Sequence, residues 1–99
     1  MSFIVKKRQG PHGTLIIITD KDILGKKFEE GRLQLDLTLD FYKGEEMEAE
    51  EIKKLIKGAR HLHLTGESAV KLGVSIDAVN PDKILRVQNV PHAEVVMEG

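Results

Sequence analysis

The sequence predicts a single α/β or α+β domain: a mixed sheet of about five strands with two helices packed on it, an N-terminal hairpin and one βαβ crossover. Three observations predict it. Residues 3–8 and 14–19 are Ile- and Val-rich runs on either side of Gln9-Gly10-Pro11-His12-Gly13, the pattern of two strands joined by a turn. Apolar residues recur at helical spacing in the middle of the chain, and a second apolar run bends from strand into helix at Thr65-Gly66. The 99 residues fit one domain, because cores of ~100–150 residues are the commonest size.

Leu15-Ile16-Ile17-Ile18 shows no alternation, which predicts a central strand covered on both faces. Asp20 at a cap position and Gly25 five residues later predict one helical turn. Residues 26–31 then cross the surface with Phe28 as an inward anchor. From Arg32 to Asp40 the alternation is complete, with Leu33, Leu35, Leu37 and Leu39 on one face, and predicts a long half-exposed strand.

After the turn Phe41-Tyr42-Lys43-Gly44, the chain starts acidic at Glu45 and ends basic at Arg60, with Ile52, Leu55, Ile56 and Ala59 at i, i+3, i+4 and i+7. An amphipathic helix whose charges suit its dipole accounts for this, and its charge runs are a solvated face. The βαβ unit is expected to join the long strand, this helix and the strand at Leu62. Residues 74–79 read equally as helix or loop, and Asn80-Pro81-Asp82 is a break. Residues 83–88 read as a strand, Asn89-Val90-Pro91-His92 as a tight turn and residues 93–97 as a terminal strand.

With 40% hydrophobic and 31% charged residues, the chain has the apolar material for a core and does not have a disordered composition. A net charge of −1 supplies no global field for nucleic acid or an anionic membrane. The absence of cysteine excludes disulfides and sulfur-ligated zinc, so a cytoplasmic setting is expected. The N-terminus, Met1 to Arg8, has its charges after a short apolar run, unlike a secretory signal. No apolar run is long enough to span a bilayer. Few amide side chains beside many Lys and Glu give a thermophile-like composition.

One candidate site stands out, at the bend. A helix start offers N–H groups to an anion, and glycine at the turn lets a ligand approach closely. The candidate binding residues are Thr65, Gly66, Glu67, Ser68 and His92, with Glu67 able to act as base or hydrogen-bond acceptor. Thr65 as a simple cap is the structural alternative. His92 follows a proline that could be cis, which would hold its ring in one direction. His61 and His63 share one side of a strand and could give two ligands to zinc, with a third from Glu67 or His92; two ligands on one strand are a weak signal, and ordinary polar-face histidines are the expected reading. No catalytic residue, metal or cofactor is assigned. Ser2, Ser68 and Ser75 lie in no nucleophile elbow, and the glycines form no phosphate loop. Lys6, Lys7, Arg8, Lys26 and Lys27 would make a basic edge if the hairpin and the loop after Gly25 lie together, and a lysine-protected edge strand otherwise.

Leu24-Gly25-Lys26-Lys27-Phe28-Glu29-Glu30-Gly31, Phe41-Tyr42-Lys43-Gly44, Leu64-Thr65-Gly66-Glu67-Ser68-Ala69-Val70 and Val90-Pro91-His92-Ala93, in this order, resemble a small archaeal family of uncharacterised conserved proteins, the domain of unknown function number four hundred and twenty-four. The resemblance implies a stand-alone archaeal cytoplasmic protein with no established activity. Its pattern falls on Gly25, Phe28, Gly31, Tyr42, Gly66, Glu67, Pro91 and His92. The leading functional expectation is a small non-enzymatic binding module for structured RNA or a translation-associated (ribosomal) protein. Rival expectations are an enzyme-like domain binding a small molecule or anion at Gly66-Glu67 with His92, and a homodimeric or larger homo-oligomeric scaffold.

Overall fold

Local hydrophobic runs become a hairpin at the start of the computed structural model, which describes residues 2–97. Met1, where the reading of the N-terminus begins, lies outside the described residues with Glu98 and Gly99. Strands β1 (Ser2–Gly10) and β2 (Gly13–Asp20) are longer than the apolar runs that predict them. Only Pro11 and His12 separate them, and Gly10 pairs with Gly13. Glycine suits position 13, where φ is +110°.

Six strands form one sheet: β1 and β2, then β5 (Glu45–Glu48), β6 (His61–Thr65), β7 (Leu85–Val87) and β8 (Val90–Val96), in the order β5-β1-β2-β6-β8-β7. The unalternating strand is central, with Ile16, Ile17 and Ile18 completely buried. One pair, β2 with β6, is parallel and the rest are antiparallel. Helices α1 (Ala49–Ile56) and α2 (Glu67–Ser75) cover one face. Ile52, Ile56, Ala69, Val70 and Leu72 meet Phe3, Val5, Ile16, Ile18, Leu62, Leu64 and Ala93 there.

Residues in the opposite phase of each strand point to the other face. That face is covered by a separate two-stranded ribbon, β3 (Lys27–Glu30) and β4 (Leu33–Asp36), packed against β7, and by the turn Asp40–Tyr42 packed on β1 and β2. The sheet is therefore sandwiched between helices and a thin irregular layer.

Four sequence expectations need correction. The alternating run 32–40 is no long strand. Its regular ladder ends at Asp36 and its last cross-strand backbone bonds are those of Leu37 with Lys26 and Gly25, after which the Asp36 carboxylate, accepting the Thr38 N–H at 3.0 Å, turns the chain. Leu35 and Leu37 are buried, whereas Leu33 and Leu39 are 40% and 51% exposed. The crossover consequently links β2, not this run, to β6. The acidic start of the expected helix is β5, which pairs with β1 (Phe3↔Met47) before α1 begins at Ala49. The tight turn is Gln88-Asn89, both at positive φ, so Pro91 and His92 lie within β8 and the peptide before Pro91 is trans.

Candidate functional site

At the bend, two strand ends meet one helix start. Thr19 and Thr65 are partners in the parallel ladder, so the next residues, Asp20 and Gly66, lie side by side. Gly66 has φ +109°, donates its N–H to the Pro91 carbonyl at 2.9 Å, and a Cβ there would lie 2.3 Å from the Asp20 carboxyl carbon. Only glycine fits.

The Asp20 carboxylate accepts the N–H groups of Ser68 and Ala69 at 2.9 and 2.7 Å. Asp20 thus caps α2 from another strand, while the turn Lys21–Ile23 that follows it has no side-chain cap. Burial pushes the Asp20 carboxyl above its ordinary value, outweighing the two backbone bonds that favour its charge. The donors that an anion would use at Ser68 and Ala69 are therefore engaged within the protein. Glu67 turns away to Arg86, 3.0 Å. Beside the bend lies an open cleft of about 610 Å³, lined among others by Asp20, Asp22, Gly66, Glu67 and Ser68. His92 is not among its lining residues.

His92 belongs to the other face. Antiparallel pairing sets it opposite Thr65 and sets Glu94 opposite His63. His92 Nδ1 is 2.8 Å from the Thr65 hydroxyl. Its Nε2 is 3.4 Å from one Glu94 oxygen, and His63 Nε2 is 3.4 Å from the other. Phe41 stands edge-on to both Tyr42 and His63, with ring centres 5.1 and 5.4 Å apart, and His63 stands edge-on to His92 at 5.9 Å.

Burial holds both imidazoles below their ordinary range, against the opposing pull of Glu94. Burial, with Glu94 and Asp36 nearby, raises the Tyr42 phenol. Two neutral imidazoles facing one carboxylate can accept a proton or a cation between them.

Of the residues read from the sequence, the structure thus brings Thr65 and His92 together and groups Gly66, Glu67 and Ser68 beside the cleft. His63 joins His92, whereas His61 and Glu67 are outside their cluster. Glu94 escapes sequence reasoning, and Asp20, read there as the cap of the turn that follows it, caps α2 instead. A signal for Glu94 exists in the alternation His92, Glu94, but only the strand register places it against His63.

The five basic residues divide between two elements. Lys6 donates to the Asp40 carbonyl at 2.7 Å, and Arg8 lies over the Phe41 ring at 5.7 Å. Lys27 opens the ribbon that packs against β7 at the far edge and pairs with Glu29 at 3.2 Å, and Lys26 immediately precedes it. Strand β5 covers only Ser2 to Val5 of β1, so residues 6–10 have no neighbouring strand on that side among the described residues.

Among the described residues no helix is long and apolar enough to cross a membrane. No curated protein matches the sequence. The fold is similar to that in the crystal structure of an uncharacterized conserved protein from Methanopyrus kandleri. The TM-score is 0.79 at 20% identity, over 100% of this chain and 96% of that one. The family model described as protein of unknown function (DUF424) matches residues 7–97, and the chain belongs to that family.

Proposed function

We propose that the protein is a non-enzymatic cytoplasmic binding module whose partner is another protein, met as an extended acidic segment along the open half of β1. The observation that carries this reading is that β5 stops at Val5 while β1 continues to Gly10. An uncovered strand edge presents alternating backbone donors and acceptors, which an added strand satisfies.

Lys6, Lys7 and Arg8 on that segment favour acidic side chains in the added strand and oppose self-pairing, where like charges would face each other. Arg8 over Phe41, with Tyr42 beside it, supplies the arginine and aromatic groups that anchor protein interfaces. Structured RNA is less favoured. Three cations on a chain of net charge −1 release few counterions, and RNA has no ladder with which to match a strand edge. A translation-associated protein with an acidic extended segment fits the chemistry.

The test titrates isotope-labelled protein with a peptide of alternating Glu and Val, and separately with a structured RNA hairpin. Peptide-induced amide shifts concentrated at residues 6–10 and abolished by Lys7→Glu with Arg8→Glu are expected. Tighter binding of the RNA, or peptide shifts elsewhere on the surface, would overturn the reading. In capture from native extract, recovered partners should survive nuclease treatment.

A further inference from the structure

We propose that His63, His92 and Glu94 form a binding site for a divalent transition-metal ion of the zinc class. The proposal is independent of the protein-partner reading. One ligand atom from each residue lies within 4.8 Å of the others. Around a tetrahedral zinc ion with ligands at ~2.0–2.1 Å, neighbouring ligand atoms are about 3.3 Å apart. His63 Nε2 is already 3.4 Å from one Glu94 oxygen and His92 Nε2 is 3.4 Å from the other. Binding through a single carboxylate oxygen would need the set to draw in from its 4.8 Å limit.

The scaffold holds these groups in place. His63 and Glu94 are a cross-strand pair, and His92 precedes Glu94 by two residues on the same strand face. Metal-binding imidazoles usually anchor their second ring nitrogen. His92 does so through Nδ1 to the Thr65 hydroxyl at 2.8 Å, which leaves Nε2 directed at Glu94. Two nitrogens and one oxygen without thiolate suit zinc, cobalt(II) or nickel(II) better than a soft monovalent ion or an all-oxygen calcium site.

Access is available. The His63 and Glu94 side chains are 24% and 63% exposed, while His92, at 8%, forms the floor. Three protein ligands leave a coordination position for water or for an atom of a partner.

The experiment uses the whole chain, stripped with a chelator, and titrates it with zinc and cobalt(II) chloride by calorimetry and visible absorption. One ion per chain and the bands of tetrahedral cobalt are expected, with zinc-induced ring-nitrogen shifts at His63 and His92 in the unmutated protein. Glu94→Gln and His63→Gln should each weaken zinc binding about 100-fold, and Thr65→Val about 10-fold. His61→Gln, on the same strand face but outside the cluster, should leave affinity unchanged. Because Glu94 is exposed, Glu94→Gln should keep the wild-type melting profile, so its loss of binding reports on the site itself. Failure of the unmutated chain to bind, equal binding by Glu94→Gln, or loss of binding in His61→Gln would overturn the proposal.

Discussion

Two carboxylates flank Thr65, one on each face of the sheet, and each lies between two nitrogens. Asp20 accepts backbone N–H groups at 2.9 and 2.7 Å. Glu94 faces two imidazole nitrogens, both at 3.4 Å. The first set is short, has fixed donors and is met entirely by the chain. The second is long, and its nitrogens can release a proton in favour of another cation. The comparison separates a polar group that holds the fold from polar groups left with capacity for a ligand. The residue between them, Thr65, serves both: its backbone leads into the capped helix and its hydroxyl steadies His92.

The largest expected effect is on the Asp20 side. Gly66→Ala adds a Cβ against Asp20 at positive φ and should cost about 3 kcal/mol or more in urea denaturation. Asp20→Ala removes the acceptor for two helix-start donors and should cost ~1–2 kcal/mol. An added effect of similar size in Glu94→Ala would erase the distinction between the two carboxylates.

Acid titration sharpens the same point. Because the folded Asp20 carboxyl is raised from its ordinary 3.8, the native chain holds its proton more tightly than the unfolded one. Its contribution to stability is then full below the unfolded value and is lost as pH rises through the folded value. Denaturation curves across that window should show wild type losing stability relative to Asp20→Asn as pH rises. A relative gain with pH would reverse the sign.

One isosteric change applied to two ladder partners should act in opposite directions. Thr65→Val leaves His92 Nδ1 without its partner and should cost about 1 kcal/mol. The Thr19 hydroxyl is buried with no hydrogen-bond partner among the described residues, so Thr19→Val should be neutral or stabilise by up to ~1 kcal/mol. Thermal unfolding of the two variants side by side checks both. Smallest of all, Glu94→Gln should change stability by no more than ~0.5 kcal/mol.

Much of the fold was legible where burial and periodicity agreed. Ile16 to Ile18 announced a central strand, and Ile52 and Ile56 announced the buried side of a helix. The long alternation from Leu33 to Leu39 misled because period two describes which side chains alternate and not whether the backbone finds a partner. Asp36 and Thr38 close a local turn within it instead. Strand β5 was hidden because its Glu-rich composition is equally apt for a helix start, and only pairing with β1 selects extended backbone.

Proline at position 91 drew attention from Gln88-Asn89, the true reversal. At the site, Thr65, Gly66 and His92 were legible from their own chemistry. Asp20 and Glu94 were not, because their roles depend on residues brought alongside by the crossover and by the register of β6 with β8.

The Asp20 clasp also dictates an order of events during folding. Helix α2 has nine residues, too few to persist in water by itself, and the acceptor for its first donors lies 48 positions earlier in the chain. That acceptor becomes available only when the loop between β2 and β6 has closed. The N-terminal hairpin, built from neighbours in sequence, can form at once, whereas the second helix must wait for the slow long-range step. In this molecule a helix start waits on a strand end that lies 48 positions away.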